Sequence, residues 1–304
     1  MLDEHDVERN CLFRLENSEL TGGKSMACKM NLTRLQEGIR TRLMGRTVFF
    51  SREVGSTNEW AKELASQSAP EGTVATAETQ THGHGRLDRK WVSPLGGLWF
   101  SVVLRPKIAL AEVSQLTFVA GLAVAETLRE LYGLKVETKW PNDVLISGRK
   151  VCGILGEASS TGGKISFVVL GVGLNANFDA GRVFPRTMRR SATSLESELG
   201  RKVQLETLFN ALLEKLEKTF DFYTREGFTP ILSEWKKHAL FLGRKVDVID
   251  QGKKVKGTAY DVAKDGALVL RLDDGSLAHV FAGDVSFHIS RRPVLGSDRK
   301  NEFG

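Results

Sequence analysis

The chain reads as an α+β protein: a larger domain of interleaved strands and helices, followed by a small SH3-like β-barrel. Three observations predict this. Helical-period stripes and short β-branched runs alternate irregularly up to about Leu242. Beyond it come only short strands, separated by Gln251-Gly252, Asp265-Gly266 and Asp274-Gly275, and Asp-Gly pairs are strong hairpin signals. The length of 304 residues allows one large domain with one or two small ones.

Residues 1–30 have no sustained period and carry the TGGKS turn, so they are expected to form a flexible extension in which Met26 and Met30 offer later starts. Leu32, Leu35, Ile39 and Leu43 predict a helix over Asn31–Arg46, and Thr47–Phe50 a strand. Ser56 and Glu59 match a capping box opening a helix that continues through Trp60, Ala61 and Leu64. Strands are expected at Thr73–Glu78 and Gly97–Arg105, then a long amphipathic helix over Ala111–Tyr132. Further strands follow at Lys135–Lys139, Val144–Ile146, Val151–Glu157 and Lys164–Gly171, and a helix at Leu205–Arg225. The small barrel uses Lys245–Asp250, Lys254–Tyr260, Ala267–Arg271 and Ala278–Ala282. The expected domains are thus 1–30 (extension), 31–240 (larger domain), 241–290 (barrel) and 291–304 (disordered tail).

Composition excludes several classes. No apolar run approaches the roughly 20 residues of a membrane span, and the acidic start MLDEHDVERN is no secretory signal. Cys11, Cys28 and Cys152 form neither a disulfide framework nor a CxxC pattern, which points to a reducing, cytoplasmic setting. The net charge of +6 is compatible with anionic ligands or partners, but it is spread along the chain. Its densest run, Arg182–Arg190, reads either as a solvated loop or as a contact for an anion. The P-loop pattern fails because Ile165 follows Gly163-Lys164. The dinucleotide pattern fails at Asp88, and Gly171-x-Gly173-x-x-Ala176 lacks a helix to follow it.

Three blocks carry chemistry. Thr81–Pro94 (THGHGRLDRKWVSP) alternates Gly83 and Gly85 with His84 and Arg86, then brings Arg89, Lys90 and Trp91. Alternating glycines let backbone N–H groups approach a ligand closely, and planar guanidinium groups suit carboxylate or phosphate. Lys139–Asp143 (KWPND) and Gly148–Glu157 (GRKVCGILGE) follow. Arg86, Arg89 and Lys150 are what a site needs to bring a carboxylate and an α-phosphate together, since fixed charge stabilisation usually carries the largest share of catalysis. Taken singly each block is weak: the glycines could be an ordinary turn, the arginines solvated surface and Lys150 a basic hairpin end. His82 and His84 have no third ligand at metal spacing, which argues against zinc.

In order, GHGRLDRKW, KWPND, KVCGIL and GVGLN, with an STN triplet at Ser56–Asn58 and Gln80 before the loop, resemble the biotin protein ligases over roughly residues 45–290. The resemblance implies a mixed sheet packed against helices, class II synthetase-like, and an ATP-dependent ligase that forms biotinyl-5′-AMP and passes the biotinyl group to a lysine of a biotin carboxyl carrier domain. It implies that Ser56, Thr57, Asn58 and Gln80 bind the ureido ring, with Gly83, His84, Gly85 and Gly153 close to biotin and Trp99 walling its apolar chain. Arg86 would hold the carboxylate and adenylate phosphate, Arg89 the ATP phosphates, and Lys150 the developing charge, these three being the catalytic set. Trp91, Lys139, Asn142 and Asn175 would serve ATP, with Asp143 a candidate Mg2+ contact. His84 stands where the commonest family loop has Arg, and Cys152 where Ala is usual.

Two further expectations follow. Only one convincing helix, Asn31–Arg46, precedes the larger domain, so a ligase without specific DNA binding is expected rather than a biotin-responsive repressor. Homodimerisation through edge strands is implied by the resemblance alone. The competing readings are a lipoate or octanoate ligase or transferase of the same fold class, and a nucleic-acid adaptor using the barrel, whose aromatics Tyr260, Phe281 and Phe287 are few for base stacking.

Overall fold

The computed structural model describes residues 12–15, 31–250 and 253–287. Within the expected flexible extension, Leu12–Leu15 (β1) is instead a strand, paired in parallel with β2 (Thr47–Val54) at the edge of the main sheet. A backbone already laid out as an edge strand offers β1 a ladder of hydrogen-bonding groups. The rest of that extension and the tail 291–304 lie outside the described residues.

Helix α1 (Leu32–Gly38) is shorter than its apolar stripe predicts. The Asn31 side chain accepts from the Arg34 N–H at 3.0 Å and starts it. It stops because the buried Glu217 carboxylate accepts from three consecutive backbone N–H groups, of Arg42, Leu43 and Met44, each at 2.7 Å. Those amides would otherwise cost about 1–3 kcal/mol each if left unpaired in the interior. Helix α2 (Thr57–Ser66) follows extended Ser56, whose hydroxyl makes no cap hydrogen bond, so the expected capping box is not formed.

β3 (Val74–Gln80) and β4 (Leu98–Leu104) lead through a 3-10 turn at Leu110–Glu112 into α3 (Gln115–Tyr132). Gly133 ends α3 in the left-handed conformation (φ 65°). β5 (Val136–Lys139), β6 (Asp143–Ile146), β7 (Arg149–Thr161) and β8 (Lys164–Leu174) complete the main sheet. Short α4 (Ala180–Val183) and α5 (Leu195–Leu199) precede α6 (Leu205–Glu226) and α7 (Phe228–Lys237). The sequence reading missed α7, which contains Pro230; there proline sits in the first turn, where helix N–H groups have no intrahelical partner.

The main sheet runs β1-β2-β3-β4-β8-β7-β6-β5, parallel at β1/β2 and β2/β3 and antiparallel elsewhere, so it is mixed as expected. β4 is buried along its whole length. Its Leu98, Phe100, Val102 and Leu104 join the core under α3 and α6, while Val103 meets Trp60 and Ala61 of α2 on the other face.

The C-terminal unit is a five-stranded antiparallel sheet of order β12-β11-β10-β9-β13. Its strands are β9 (Lys245–Asp250), β10 (Lys253–Val262), β11 (Leu268–Arg271), β12 (Leu277–Val280) and an unanticipated β13 (Asp284–Phe287). Gly266 (φ 85°) and Gly275 (φ 86°) turn the two Asp-Gly hairpins. Val246, Val248, Leu268 and Leu270 belong to the same apolar cluster as α3 and α6, so the two units share one core. Trp140, buried, donates its indole N–H to the Gly266 carbonyl at 2.9 Å and pins the KWPND block to this sheet.

Candidate active site

One cavity of about 630 Å3 opens where α2, the glycine loop, β6, β7, β8 and β13 meet. Its size matches a small-molecule site. Arg86, Arg89, Lys90, Lys139, Lys150 and Arg190 line it against two carboxylates, Asp143 and Asp284. The three cations expected to act together therefore do face one space.

The far end is neutral and closely hydrogen-bonded. Gln80 Oε1 accepts from the Thr57 N–H at 2.8 Å and from the Thr57 hydroxyl at 3.1 Å. Gln80 Nε2 donates to Ser93 Oγ at 2.8 Å. Asn58 donates to Glu157 Oε2 at 2.6 Å and accepts from the fully buried Ser101 hydroxyl at 2.6 Å. The Asn58 and Gln80 amides are thereby both engaged within the protein and form a fixed wall. A Cβ on Gly171 would lie 2.0 Å from Asn58 Oδ1, so glycine on β8 makes room for that wall. Ser56 is buried on the cavity lining, and its hydroxyl is not used in capping.

Trp91 sits on the facing pair Gly153 and Gly173 of β7 and β8. A Cβ would come within 2.9 Å of the indole at Gly153 and 2.6 Å at Gly173. Lys150 Nζ lies 4.9 Å from the Trp91 ring centroid and 2.6 Å from Asp143 Oδ1. The close approach expected at Gly153 is thus made by the indole. Trp99 is completely buried behind it, ring centroids 6.4 Å apart, and does not line the cavity. Gly83 is also off the wall; a side chain there would strike the Trp91 carbonyl and Ser93. His84 and Gly85 do reach the lining.

The loop's cations contact the C-terminal sheet. Arg86 Nη1 donates to the Gly283 carbonyl at 3.4 Å, and Arg89 pairs with Asp284. Burial lowers the Arg86 pKa, against the opposing pull of Asp284 and Asp143. Burial likewise lowers that of Lys139, offset in part by Asp143. Cys152 is wholly buried and its thiol is pushed up by burial, which suits packing and not nucleophilic chemistry.

Beside the cationic end, Asn142 uses its amide to hold β7, Nδ2 to the Ile154 carbonyl at 2.6 Å. Asn175 donates to the Thr193 carbonyl at 2.8 Å, while its buried Oδ1 has no hydrogen-bond partner. An unpaired buried acceptor on a cavity wall is a place for a ligand donor. The basic stretch after α4 also arrives here: Phe184, Met188 and Arg190 line the cavity, held by the Lys150 N–H to the Ser191 carbonyl at 2.7 Å. The charge run was visible in the sequence, its place beside Lys150 was not. Asp284 was missed altogether, because nothing local marks a short strand end as part of a distant pocket.

Comparison with known proteins fits this geometry. The model of the biotin/lipoate A/B protein ligase family matches residues 50–175, and that of the biotin protein ligase C terminal domain residues 241–288. The bifunctional ligase/repressor BirA of Bacillus subtilis is 34% identical over 258 residues, covering 84% of this chain and 79% of the relative. The biotin–[acetyl-CoA-carboxylase] ligase of Mycobacterium tuberculosis is 31% identical over 265 residues, covering 82% and 94%. Among solved structures, the Aquifex aeolicus biotin protein ligase in complex with biotin and ATP aligns at TM-score 0.69 and 29% identity, over 79% of this chain and 98% of that one. This chain belongs to the biotin protein ligase family.

Proposed function

We propose that the chain activates biotin with ATP as biotinyl-5′-AMP and transfers the biotinyl group to a lysine of a biotin carboxyl carrier domain. The observation that carries this reading is the single cavity with a neutral, hydrogen-bonded end and a cationic end. A urea offers donors and acceptors without charge, which suits Ser56, Thr57 and Gln80. Asn58 acts as their positioning wall. The apolar chain then passes beside the Trp91 indole, which covers Gly153 and Gly173, with Trp99 supporting that ring from behind.

At the cationic end two anions must approach each other. Biotin's carboxylate oxygen attacks the α-phosphorus and pyrophosphate leaves; later the carrier lysine's amine attacks the acyl carbon and AMP leaves. Lys150 stabilises charge between carboxylate and α-phosphate, and Arg86 holds the adenylate. Arg89 and Lys139 take the outer phosphates, Arg89 exchanging Asp284 for a phosphate oxygen. Asn175 Oδ1 accepts from the adenine amino group, whose ring packs on Trp91, while Asn142 keeps β7 in place. Mg2+ enters with ATP as its substrate complex. Asp143, whose Oδ1 pairs with Lys150 Nζ at 2.6 Å, would offer it one hard oxygen, which suits an ion held chiefly by phosphates and water. Closure of the glycine loop over the adenylate excludes water from a hydrolysable anhydride.

The reading includes a cytoplasmic ligase without specific DNA binding. Among the described residues, no helix is long and apolar enough to cross a membrane. α1 is the one helix before β2 among the described residues, whereas a helix-turn-helix needs two. Self-association would use an open edge of the main sheet, checked by sedimentation. The test of the whole is mass spectrometry of an apo carrier domain incubated with biotin, Mg-ATP and this protein. A biotinyl mass increment on one lysine supports it; an unmodified carrier refutes it. A biotin-dependent shift of promoter DNA would refute the DNA-binding part.

A further inference from the structure

We propose that Glu59 of α2, His84 of the glycine loop and Glu157 of β7 form a site for one borderline divalent cation of the Zn2+ class, separate from the Mg2+ that accompanies ATP. The three side chains come from three elements, and one ligand atom from each lies within 4.8 Å of the others. His84 Nε2 stands 3.6 Å from Glu59 Oε1 and 3.7 Å from Glu157 Oε2. Ligands held tetrahedrally at zinc distances are about 3.4 Å apart, so the two histidine–carboxylate separations are a few tenths of an ångström long, and the two carboxylates, within 4.8 Å of each other, must also draw together around an ion. One imidazole nitrogen with two carboxylate oxygens is a donor set that zinc-class ions accept readily and Mg2+ does not favour.

The cleft already attracts a cation. Lys62 Nζ bridges the same two carboxylates, 2.6 Å from Glu59 Oε1 and 3.0 Å from Glu157 Oε1. Two carboxylates against one ammonium leave one negative charge that Lys62 does not offset. Lys62 is a competitor on a flexible stem that can keep one outer carboxylate oxygen or swing to solvent. Asn58 donates at 2.6 Å to Glu157 Oε2, the oxygen that faces His84, and fixes that carboxylate's orientation. Sequence spacing gave His82 and His84 no third ligand, and in the structure the His82 ring hydrogen-bonds Thr81 at 2.9 Å instead. The fold supplies them. A bound ion would tie the glycine loop to α2 and β7 and slow its opening.

The inference does not depend on which acid is activated, and its readout is binding. Untagged, metal-free full-length protein is titrated with Zn2+ against a chromophoric chelator at neutral pH. The expected result is one equivalent per chain. His84→Ala should weaken binding roughly 100-fold, at the upper end of what even an outer-shell partner contributes. His82→Ala should leave it unchanged. Lys62→Met, which keeps all three ligands, should tighten it roughly tenfold by removing a competing charge. No uptake of an equivalent, equal losses in the two histidine variants, or no gain in Lys62→Met would each overturn the proposal.

Discussion

The two ends of the cavity are held in different ways. At the neutral end, Thr57, Asn58, Gln80, Ser93 and Ser101 satisfy one another through buried or half-buried hydrogen bonds anchored on α2, β3 and β4, with the Glu157 carboxylate of β7 behind Asn58 and off the cavity lining. At the cationic end, Arg86 and Arg89 reach across a gap to Gly283 and Asp284, and the Arg89 side chain is 61% exposed. An exposed ion pair contributes only about 0–1 kcal/mol, whereas a closed buried network fixes its members. The contrast teaches that one end is built before the ligand arrives and the other is free to exchange internal partners for phosphate oxygens.

The comparison is broken most strongly by Lys150→Ala. It should slow adenylate formation roughly 10²–10³-fold, the usual loss for one preorganised donor. Near-normal single-turnover adenylation in that variant would remove Lys150 from the mechanism. Next, Arg86→Gly should release biotinyl-AMP into solution about tenfold or more faster, the loss of one charge-assisted contact. Leakage no greater than in the unmutated protein contradicts the holding role. At the preorganised end, Gly171→Ala drives a methyl into Asn58 and should cost about 1–3 kcal/mol of stability together with biotin affinity, read by thermal melts and calorimetry. An unchanged melt would mean that the Asn58 wall yields freely.

The smallest effect concerns pH. Burial opposes the charge of Glu157, yet hydrogen bonds from Asn58 and Lys62 hold its pKa below the ordinary value of 4.5. A folded value below the unfolded one means its contribution is full above about pH 4.5 and is lost as pH falls through the folded pKa. Glu157→Gln should therefore flatten the acid limb of the stability curve, and an unchanged slope would exclude Glu157 from that limb.

What could be read from the sequence follows the same division. The cationic blocks are contiguous, so Arg86, Arg89 and Lys150 were legible as chemistry before any contact was known. Strand and hairpin positions were legible because period and Asp-Gly turns are local. What escaped depends on distant partners. Glu217 ends the first helix from 175 residues away. Asp284 joins the cavity from the other sheet, and Glu59 and Glu157 meet His84 only once α2 and β7 flank the loop. Ser56 looked like a cap because its spacing to Glu59 allows one, but Glu59 turns instead to Lys62, and the serine hydroxyl is left for the cavity.

The central claim is that these cations let a carboxylate and ATP react in one pocket. It is tested most directly by rapid-quench analysis of the protein mixed with biotin and α-labelled Mg-ATP, with no carrier present. The account predicts one equivalent of labelled biotinyl-AMP per chain, formed with biotin and not with lipoate. Absence of that adduct, or equal adenylation of lipoate, would contradict it.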